Sequence, residues 1–494
     1  MVGTVELARA RDVAAWWWRI GFDARRDALL RWAAILGRRS PEIGAVMRAE
    51  GGKADADATI ELIVAVEHLR WAARHARRVL RRRRVRGTWL APEQRPELDW
   101  LPYGVVGVIG PWNFPVLTPL ASIGSALAAG NAVLFKPSEH AGEVGRLLTE
   151  TATEAMRGAP LVQFVDGGPE AGAALVTSGV DKVAFTGSTA TAAKVLAAAA
   201  PTLTPVLAEC GGKDPAIVAA GADVEHAAAS VLWGAMFNAG QACVGIERAY
   251  VVDEVYDDFV RAIVAKAEGL TAARNGELGA ITVPAQLDVI TRHIADAVGR
   301  GARVLTGGLE AITPPYVPPT ILVDVPDDAL VVTEETFGPV LPILRAADLD
   351  DAVARAESGP YRLGAAVYGG RAARAAAARL TSGMVSVDSS LGFAGQPCLP
   401  FGGRGGSGFG RTHGEAGLRE FAVPRATVVR RFRQPFDLTT YQRGRFALPL
   451  AEWVLRRVYG RGGTLGFARV SRTAGPVRVE GEGSAHLEEP CRST

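Results

Sequence analysis

Short apolar segments alternate with alanine-rich segments from Gly104 to Leu207, and this pattern restricts the fold more than any other part of the sequence. Helical patterns occupy Leu117–Ala129 and Glu139–Met156. Five strand-like segments accompany them, at Gly104–Ile109, Ala132–Phe135, Val162–Val165, Lys182–Phe185 and Pro205–Leu207. Strands and helices in alternation form βαβ units on a parallel sheet. The pattern therefore predicts an α/β fold whose ligands bind at the carboxyl ends of the strands.

A second alternation follows Glu209 and predicts a second α/β lobe. Its helical segments are Val224–Phe237, Val255–Glu268, Gln286–Arg300 and Ala372–Leu380. Its strands are predicted at Pro215–Ala219, Ala249–Val252, Gly364–Tyr368 and Met384–Val387. Before residue 85 the apolar residues recur at helical spacing, so the chain should begin with helices. Together these patterns predict two Rossmann-like α/β lobes.

The composition fits a globular protein with a large core. The chain has 494 residues, of which 48% are hydrophobic and 22% charged, so we expect two to three domains. The net charge of +3 is small for this length and indicates no nucleic-acid or membrane partner. For the same reason the basic run Arg77–Arg86 is interpreted as a solvated helix end rather than a phosphate-binding site.

Cysteine usage and hydropathy indicate the cellular setting. The four cysteines are widely spaced, which predicts neither a disulfide scaffold nor a metal site; they are Cys210, Cys243, Cys398 and Cys491. No apolar run approaches the ~20 residues of a membrane span. The N-terminal region also lacks the pattern of a signal peptide. We therefore expect a cytoplasmic protein that binds no metal.

Three short motifs carry the candidate chemistry. Cys243 ends the run Asn238–Cys243, whose small residues leave room for a carbonyl group to reach the sulfur. Alone, this segment fits an inert buried cysteine better than a nucleophile. Glu209 lies in Leu-Ala-Glu-Cys-Gly-Gly-Lys and Asn113 in Pro-Trp-Asn-Phe-Pro. They favour a nucleophile because they add a candidate general base and an amide donor for an oxyanion.

At these motifs the sequence resembles the aldehyde dehydrogenase superfamily, from roughly Trp18 to Phe421. The resemblance implies oxidation of a small-molecule aldehyde to a carboxylic acid with a nicotinamide cofactor. Cys243 would add to the carbonyl, and the Asn113 amide and the Cys243 N–H would stabilise the oxyanion. Glu209 would activate the water that hydrolyses the thioester. Members that pass the acyl group to coenzyme A characteristically lack this base, so Glu209 favours hydrolysis.

The residues alone do not predict a dinucleotide site, because Pro169 interrupts the glycine-rich segment Gly167–Gly172. Ser188, which follows Gly187, could hold a phosphate or simply cap a helix. The resemblance places the adenosine ribose at Lys136 and Glu139. The cofactor-binding residues that it implies are Trp112, Lys136, Ser138, Glu139, Gly187, Ser188, Glu335 and Phe337. A carboxylate at Glu139 favours NAD, with NADP as the alternative.

The resemblance also divides the chain. Residues 1–84 and 101–208 would form the NAD-binding domain, and residues 209–424 the catalytic domain. Residues 85–100, interpreted as an exposed ribbon or loop, and 425–435 would form a small β oligomerisation element of a homodimer or homotetramer. Residues 436–494 form a C-terminal extension that is expected to be partly disordered.

Several alternatives stay open at the level of the sequence. The chain could act as a scaffold or binding partner, or as an acylating enzyme that depends on coenzyme A. The amphipathic segment Phe446–Tyr459 is expected to pack on its own domain, with a neighbouring subunit or a membrane surface as alternatives.

Asp388 stands where the family usually has Asn near the substrate. The smallish Leu117, Thr118 and Ala121 suggest a roomy pocket.

Overall fold

The computed structural model describes residues 4–89, 91–432 and 440–460. The described residues divide into a large unit, drawn from residues 1–86 and 96–428, and a small unit, drawn from residues 87–95 and 429–494. None of the helices in these ranges combines the length and the apolar character that crossing a bilayer requires.

The helices are α1 Thr4–Arg19, α2 Gly21–Arg38, α3 Ser40–Gly51, α4 Asp55–Leu80, α5 Leu117–Ala129, α6 Gly142–Ala155, α7 Pro169–Thr177, α8 Thr189–Ala199, α9 Val224–Met236, α10 Asp253–Ala267, α11 Pro284–Gly299, α12 Leu330–Thr333, α13 Leu349–Ala356, α14 Gly370–Ala377, α15 Gly414–Glu420 and α16 Ala447–Val454. The strands are β1 Arg83–Arg84, β2 Gln94–Pro102, β3 Val105–Ile109, β4 Ala132–Lys136, β5 Val162–Phe164, β6 Lys182–Thr186, β7 Val206–Glu209, β8 Asp214–Val218, β9 Ile246–Val252, β10 Arg303–Thr306, β11 Thr320–Val323, β12 Val340–Ala346, β13 Tyr361–Arg362, β14 Ala366–Tyr368, β15 Ser386–Val387, β16 Arg404–Gly405, β17 Gly408–Phe409 and β18 Ala422–Arg430.

The first lobe is built on a six-stranded sheet with the order β17-β7-β6-β3-β4-β5. The four pairings that link β7, β6, β3, β4 and β5 are parallel, and β17 joins β7 in antiparallel orientation. The five strands predicted from the apolar alternation are these parallel strands. The α/β prediction is confirmed, and the carboxyl ends of β3, β4, β6 and β7 share one edge of the sheet.

The second lobe contains a seven-stranded sheet with the order β10-β11-β12-β9-β8-β14-β15. All of its pairings are parallel except that of β10 with β11. The sequence patterns did not predict β10, β11 or β12. Pro342 lies inside β12, where a proline normally argues against a central strand because it cannot donate to a ladder. Tertiary burial of β12 overrides that local signal.

A third sheet has the order β1-β2-β18. Within residues 85–100, interpreted from the sequence as a ribbon or loop, residues 94–100 belong to β2, which runs from Gln94 to Pro102, so this part is a strand and not a loop. Asp99 on this strand accepts hydrogen bonds from Nε and Nη2 of Arg425 on β18, at 3.0 and 2.5 Å. These charge-assisted bonds lower the pKa of Asp99. Proline residues near the start of β2 obscured its extended pattern.

The C-terminal segment begins as predicted. A helix spans Ala447–Val454 and continues as a wider π-helical turn through Leu455–Tyr459. Leu448, Trp453 and Tyr459 are exposed. The predicted disorder concerns mostly residues 461–494, which lie outside the described residues, and the partner of this helix stays a prediction.

Candidate active site

A large cavity opens at the carboxyl ends of the strands in the six-stranded sheet. Its volume is about 840 Å³. All eleven site residues predicted from the sequence line it: Trp112, Asn113, Lys136, Ser138, Glu139, Gly187, Ser188, Glu209, Cys243, Glu335 and Phe337. They come from segments that follow β3, β4, β6 and β7 and from loops of the second lobe. A parallel sheet brings the ends of its strands to one edge, so distant motifs meet there.

The loop before Cys243 has a strained backbone. Asn238 and Ala239 adopt left-handed conformations, with φ of 55° and 53°. Such residues cost on the order of 1–3 kcal/mol each and persist only where the surroundings hold them. The Asn238 side-chain amide donates to the carbonyl oxygens of Asn113 and Gln241, at 3.1 and 3.0 Å. These hydrogen bonds therefore help to hold the strained loop that presents the thiol.

Gly240 allows this loop to pack closely. A Cβ atom at Gly240 would lie 2.2 Å from the backbone of Gly338, so no other residue fits without a shift. The side chain of Gln241 adds a further tether, because its Nε2 donates to the carbonyl oxygen of Ala280 at 3.1 Å. The small-residue run that the sequence analysis noted thus serves packing as well as access to the sulfur.

Asn113 lies against the same loop. Its Nδ2 atom donates to the carbonyl oxygen of Gln241 at 3.0 Å. A side-chain amide carries two N–H groups, and this hydrogen bond uses one of them. Among the described residues, the other N–H group has no protein hydrogen-bond partner, and Asn113 lines the same cavity as Cys243. The carbonyl oxygen of Asn113 in turn holds Asn238, so the amide and the thiol loop are fixed relative to each other.

Glu209 ends β7 and is 6% exposed. Burial raises the pKa of its carboxyl to about 7, and the one opposing contact is a 3.3 Å hydrogen bond from the Thr186 hydroxyl. Lys213 does not pair with it, because the Lys213 ammonium lies 2.5 Å from Glu247. The carboxyl is therefore poised to exchange a proton near neutral pH, as a general base must.

The thiol of Cys243 is held in its neutral form. Burial raises its pKa well above the ordinary range, and the negative charges of Glu209, Glu335 and Asp214 raise it further. A hydrogen bond with the backbone of Val244 lowers the pKa, but it does not outweigh these effects. The thiol thus needs a neighbouring proton acceptor before it can act as a nucleophile.

The loop that carries Glu335 and Phe337 is fixed by a buried carboxylate. Glu247 accepts hydrogen bonds from the backbone N–H groups of Thr336 and Phe337, at 2.8 and 2.9 Å. Glu335 itself accepts from the N–H of Gly212 at 3.1 Å, and burial raises its pKa to about 8. Sequence reasoning missed Glu247, since nothing in its local sequence distinguishes it from a surface residue.

Phe337 has a positive φ of 51° and its ring meets Trp112 edge to face. The two ring centroids are 5.4 Å apart. This geometry gives the cavity an aromatic wall near Cys243. At the other end, Lys136 lies 3.5 Å from Glu139, which is 44% exposed. The cavity also includes Lys194 of α8, which the sequence analysis did not single out.

Ser188 acts as a helix cap in this structure. Its hydroxyl oxygen accepts from the N–H of Thr191 at 3.3 Å and begins α8. Gly187 before it admits no side chain, because a Cβ atom would lie 2.6 Å from the Phe185 ring. Gly187, Ser188 and Thr191 line the large cavity, and helix N-termini attract phosphates. Ser188 can therefore cap α8 and also lie beside a bound phosphate.

A second, smaller chamber lies on the other side of Cys243. Its volume is about 170 Å³, and it shares Cys243, Glu209 and Thr118 with the large cavity. Most of its lining is aliphatic or aromatic, with Ile60, Val64, Phe114, Leu117, Trp233, Phe237, Val244, Leu391 and Phe401. Leu117, Thr118 and Ala121, noted in the sequence, all belong to it.

Asp388, which stands where the family usually has Asn near the substrate, is not among the residues that line either cavity. Its carboxylate accepts from the N–H of Gly369 at 2.9 Å, and its carbonyl oxygen lies 2.9 Å from Nε2 of His226. The turn after β15 directs the carboxylate to this backbone group.

Comparison with known proteins identifies the family. Residues 5–427 match the sequence model of the aldehyde dehydrogenase family. The chain belongs to the aldehyde dehydrogenase family. The family and the activity predicted from the motifs are thereby confirmed: this aldehyde dehydrogenase is an oxidoreductase that converts aldehydes to acids.

Two relatives and one solved structure are similar over most of this aldehyde dehydrogenase. A 4,4'-diapolycopene aldehyde oxidase of Methylomonas is 34% identical over 436 residues, covering 87% of this chain and 82% of its own. A Mycobacterium bovis protein, provisionally named succinate-semialdehyde dehydrogenase [NADP(+)] 2, is 32% identical over 91% of this chain and 89% of its own. The crystal structure of Escherichia coli lactaldehyde dehydrogenase aligns with a TM-score of 0.82 and 29% identity, covering 87% and 92%.

Metal ligation was expected to be absent. Among the residues that the structure describes, no group of three or more His, Cys, Asp or Glu side chains is placed to hold a metal ion. Cys210, Cys243 and Cys398 are free thiols, and Cys491 lies outside the described residues.

Proposed function

We propose that this aldehyde dehydrogenase oxidises uncharged aromatic or apolar aldehydes to carboxylic acids with NAD as the preferred cofactor. Cys243 is the nucleophile, Asn113 the oxyanion donor and Glu209 the general base. The observation that carries this proposal is that Cys243 and Glu209 line both cavities. A thiol at that junction can meet a carbonyl from the apolar chamber and a nicotinamide from the large cavity.

The proposed steps use the chain's own groups in sequence. A water molecule in the large cavity takes the thiol proton, and the Cys243 sulfur adds to the aldehyde carbon. The oxyanion that forms accepts hydrogen bonds from the Asn113 amide and the Cys243 N–H, which lower the barrier because the charge exists only along the reaction path. The bound nicotinamide supplies the acceptor for the hydride. Glu209 then deprotonates a water molecule that hydrolyses the thioester.

The apolar chamber supports the choice of substrate. A cavity of about 150 Å³ holds one benzene molecule, and this chamber has about 170 Å³. Its described lining contains no lysine or arginine, whereas Glu61 and Glu209 are both present. A substrate carboxylate would be buried there without a cation. The chain is therefore proposed to differ from the relative whose provisional name specifies succinate semialdehyde.

A matched pair of substrates tests this assignment. With saturating NAD, we expect kcat/KM for 4-methylbenzaldehyde to exceed that for 4-carboxybenzaldehyde by about 10²-fold or more, since an uncompensated buried charge costs several kcal/mol. The two compounds are similar in shape, so the comparison isolates the charge. NADH absorbance is the readout. Equal or reversed specificity would contradict the proposed substrate class, and no turnover with any aldehyde would contradict the proposed function.

The cofactor preference rests on Glu139. Its carboxylate lies beside Lys136 at the end of β4, where it would accept from a free 2′-hydroxyl and repel a 2′-phosphate. We expect kcat/KM for NAD to exceed that for NADP by about tenfold or more. Glu139→Gln should lower the ratio of kcat/KM for NAD to kcat/KM for NADP, chiefly by raising kcat/KM for NADP. A higher kcat/KM with NADP than with NAD in the unmodified enzyme would overturn this part of the proposal. The name of one relative does specify NADP(+).

Residues 1–84 with 101–208 would bind the cofactor, and residues 209–424 would supply Cys243. Residues 85–100 and 425–435 would join subunits into a homodimer or homotetramer in the cytoplasm. An acylating reaction would require coenzyme A for steady NADH formation, whereas the buried Glu209 carboxyl supports hydrolysis.

A further inference from the structure

One imidazole interrupts the apolar lining of the small chamber. His413, the residue before α15, lines the chamber and is 8% exposed. Its Nδ1 atom is buried and has no hydrogen-bond partner among the residues that the structure describes. A buried polar atom without a hydrogen-bond partner lowers the stability of the folded protein by about 1–3 kcal/mol. The proposed reaction leaves this group without a role.

A second histidine lies directly behind the first. The rings of His68 and His413 stack with centroids 3.6 Å apart and planes tilted by 33°. The Nε2 atom of His68 is 3.0 Å from the carbonyl oxygen of Ala394, to which it donates. His68 therefore holds its proton on Nε2 and presents a neutral ring to His413. Phe401 flanks His413 from another side, with centroids 5.3 Å apart.

Both imidazoles stay neutral near physiological pH. Burial lowers the pKa of His68 to about 4. Burial and the adjacent His68 lower the pKa of His413 well below its ordinary value. A neutral imidazole offers one N–H donor and one acceptor nitrogen. Such a group matches a substrate hydroxyl, which also donates and accepts, and offers no charge to a carboxylate.

Three other polar side chains of the chamber have partners within the protein: Glu209 accepts from Thr186, the Thr412 hydroxyl donates to the carbonyl oxygen of Phe401 at 3.5 Å, and Glu61 has several contacts. Glu61 accepts from the N–H groups of Val116 and Leu117, at 2.8 and 2.9 Å, and its second oxygen is 2.8 Å from the Lys53 ammonium. Thr118 lies where the chamber joins the large cavity. His413 could thus form a hydrogen bond with a polar group on the substrate while the aldehyde group lies at Cys243.

We propose that His413 hydrogen-bonds a hydroxyl group carried by the aldehyde, so that the enzyme selects hydroxylated aromatic aldehydes over equally large apolar ones. His68 acts as a positioning residue that holds the His413 ring by stacking. This inference rests on the proposed function, because it assumes that the aldehyde enters the small chamber.

Two aldehydes of equal size test the proposal: 4-(hydroxymethyl)benzaldehyde, with a hydroxyl that does not ionise, and 4-ethylbenzaldehyde. In the unmodified enzyme we expect kcat/KM to favour the hydroxyl compound by about tenfold, since burying the ethyl group leaves His413 unpartnered. In His413→Phe, which keeps a ring against His68, the ratio should fall to about one. Thr412→Val removes a neighbouring hydroxyl and should keep the tenfold ratio.

Binding without turnover separates this inference from the proposed function. Calorimetry with 1,4-benzenedimethanol and 4-ethylbenzyl alcohol on the enzyme with bound NADH should show the same tenfold preference, lost in His413→Phe. If no aldehyde is oxidised but this preference appears, the proposed function fails and the inference stands. A ratio near or below one in the unmodified enzyme overturns it, whether or not the variant folds. Persistence of the preference in a folded His413→Phe enzyme also overturns it.

Discussion

Replacing Cys243 with alanine should abolish aldehyde-dependent NADH formation, with kcat falling by on the order of 10⁴-fold or more. The reaction requires a bond between sulfur and the carbonyl carbon before hydride can leave, and alanine cannot form it. The measurement is the rate of NADH absorbance increase with benzaldehyde and saturating NAD. Cys398→Ala is the matched control, because this exposed thiol lines neither cavity and its loss should not change the rate.

The Cys243→Ala protein should still bind cofactor. The small side chain leaves Glu335, Phe337 and their Glu247 tether in place, so NADH binding measured by fluorescence should change less than threefold. Retained binding with lost turnover identifies a chemical defect rather than a folding defect. Full turnover in this variant would contradict the assignment of the nucleophile.

Glu209→Gln should convert steady turnover into a single burst. Hydride transfer can still occur, but the thioester persists because the amide cannot deprotonate water. We expect one equivalent of NADH per active site, followed by a steady rate about 10²–10⁴-fold lower than that of the unmodified enzyme. Stopped-flow absorbance separates the two phases. An unchanged steady rate without a burst would show that another group activates the water.

The same carboxyl predicts the pH dependence. Glu209 must be ionised to accept a proton, and burial raises its pKa to about 7. The hydrolytic rate should therefore fall about tenfold for each pH unit below 7 and level off above it. Glu209→Gln should lack this inflection. The raised pKa also means that the folded protein binds a proton that the unfolded chain has released, so stability falls as pH rises from about 4.5 to 7.

Local sequence predicts much of the first lobe. The apolar spacing and Gly130 after the helix place α5 at its observed bounds, Leu117–Ala129, and Gly130 has the left-handed conformation of a helix end. The second lobe is harder to predict, because β12 contains Pro342 and gains its place from burial between β11 and β9. Tertiary packing outweighs propensity there.

The residues of the candidate site also fall into two groups: those that sequence motifs predict and those whose roles depend on distant contacts. Family motifs predict Cys243, Glu209 and Asn113, and the sheet edge brings them to one cavity. The roles of Glu247 and His413 depend on contacts with residues far away in the sequence, such as Phe337 for Glu247 and His68 for His413. Neither has a local pattern that distinguishes it. Asp388 shows the limit of a family resemblance, since its carboxylate accepts from the backbone N–H of Gly369 and lines neither cavity.

The central claim is that the thiol at the junction of the two cavities carries the acyl group. Mass spectrometry of the Glu209→Gln protein, quenched in acid after one turnover with NAD and benzaldehyde, tests it directly. The account predicts one added benzoyl group, located on the peptide that contains Cys243. A burst of NADH with the benzoyl group on another residue, or with no covalent adduct, would contradict it.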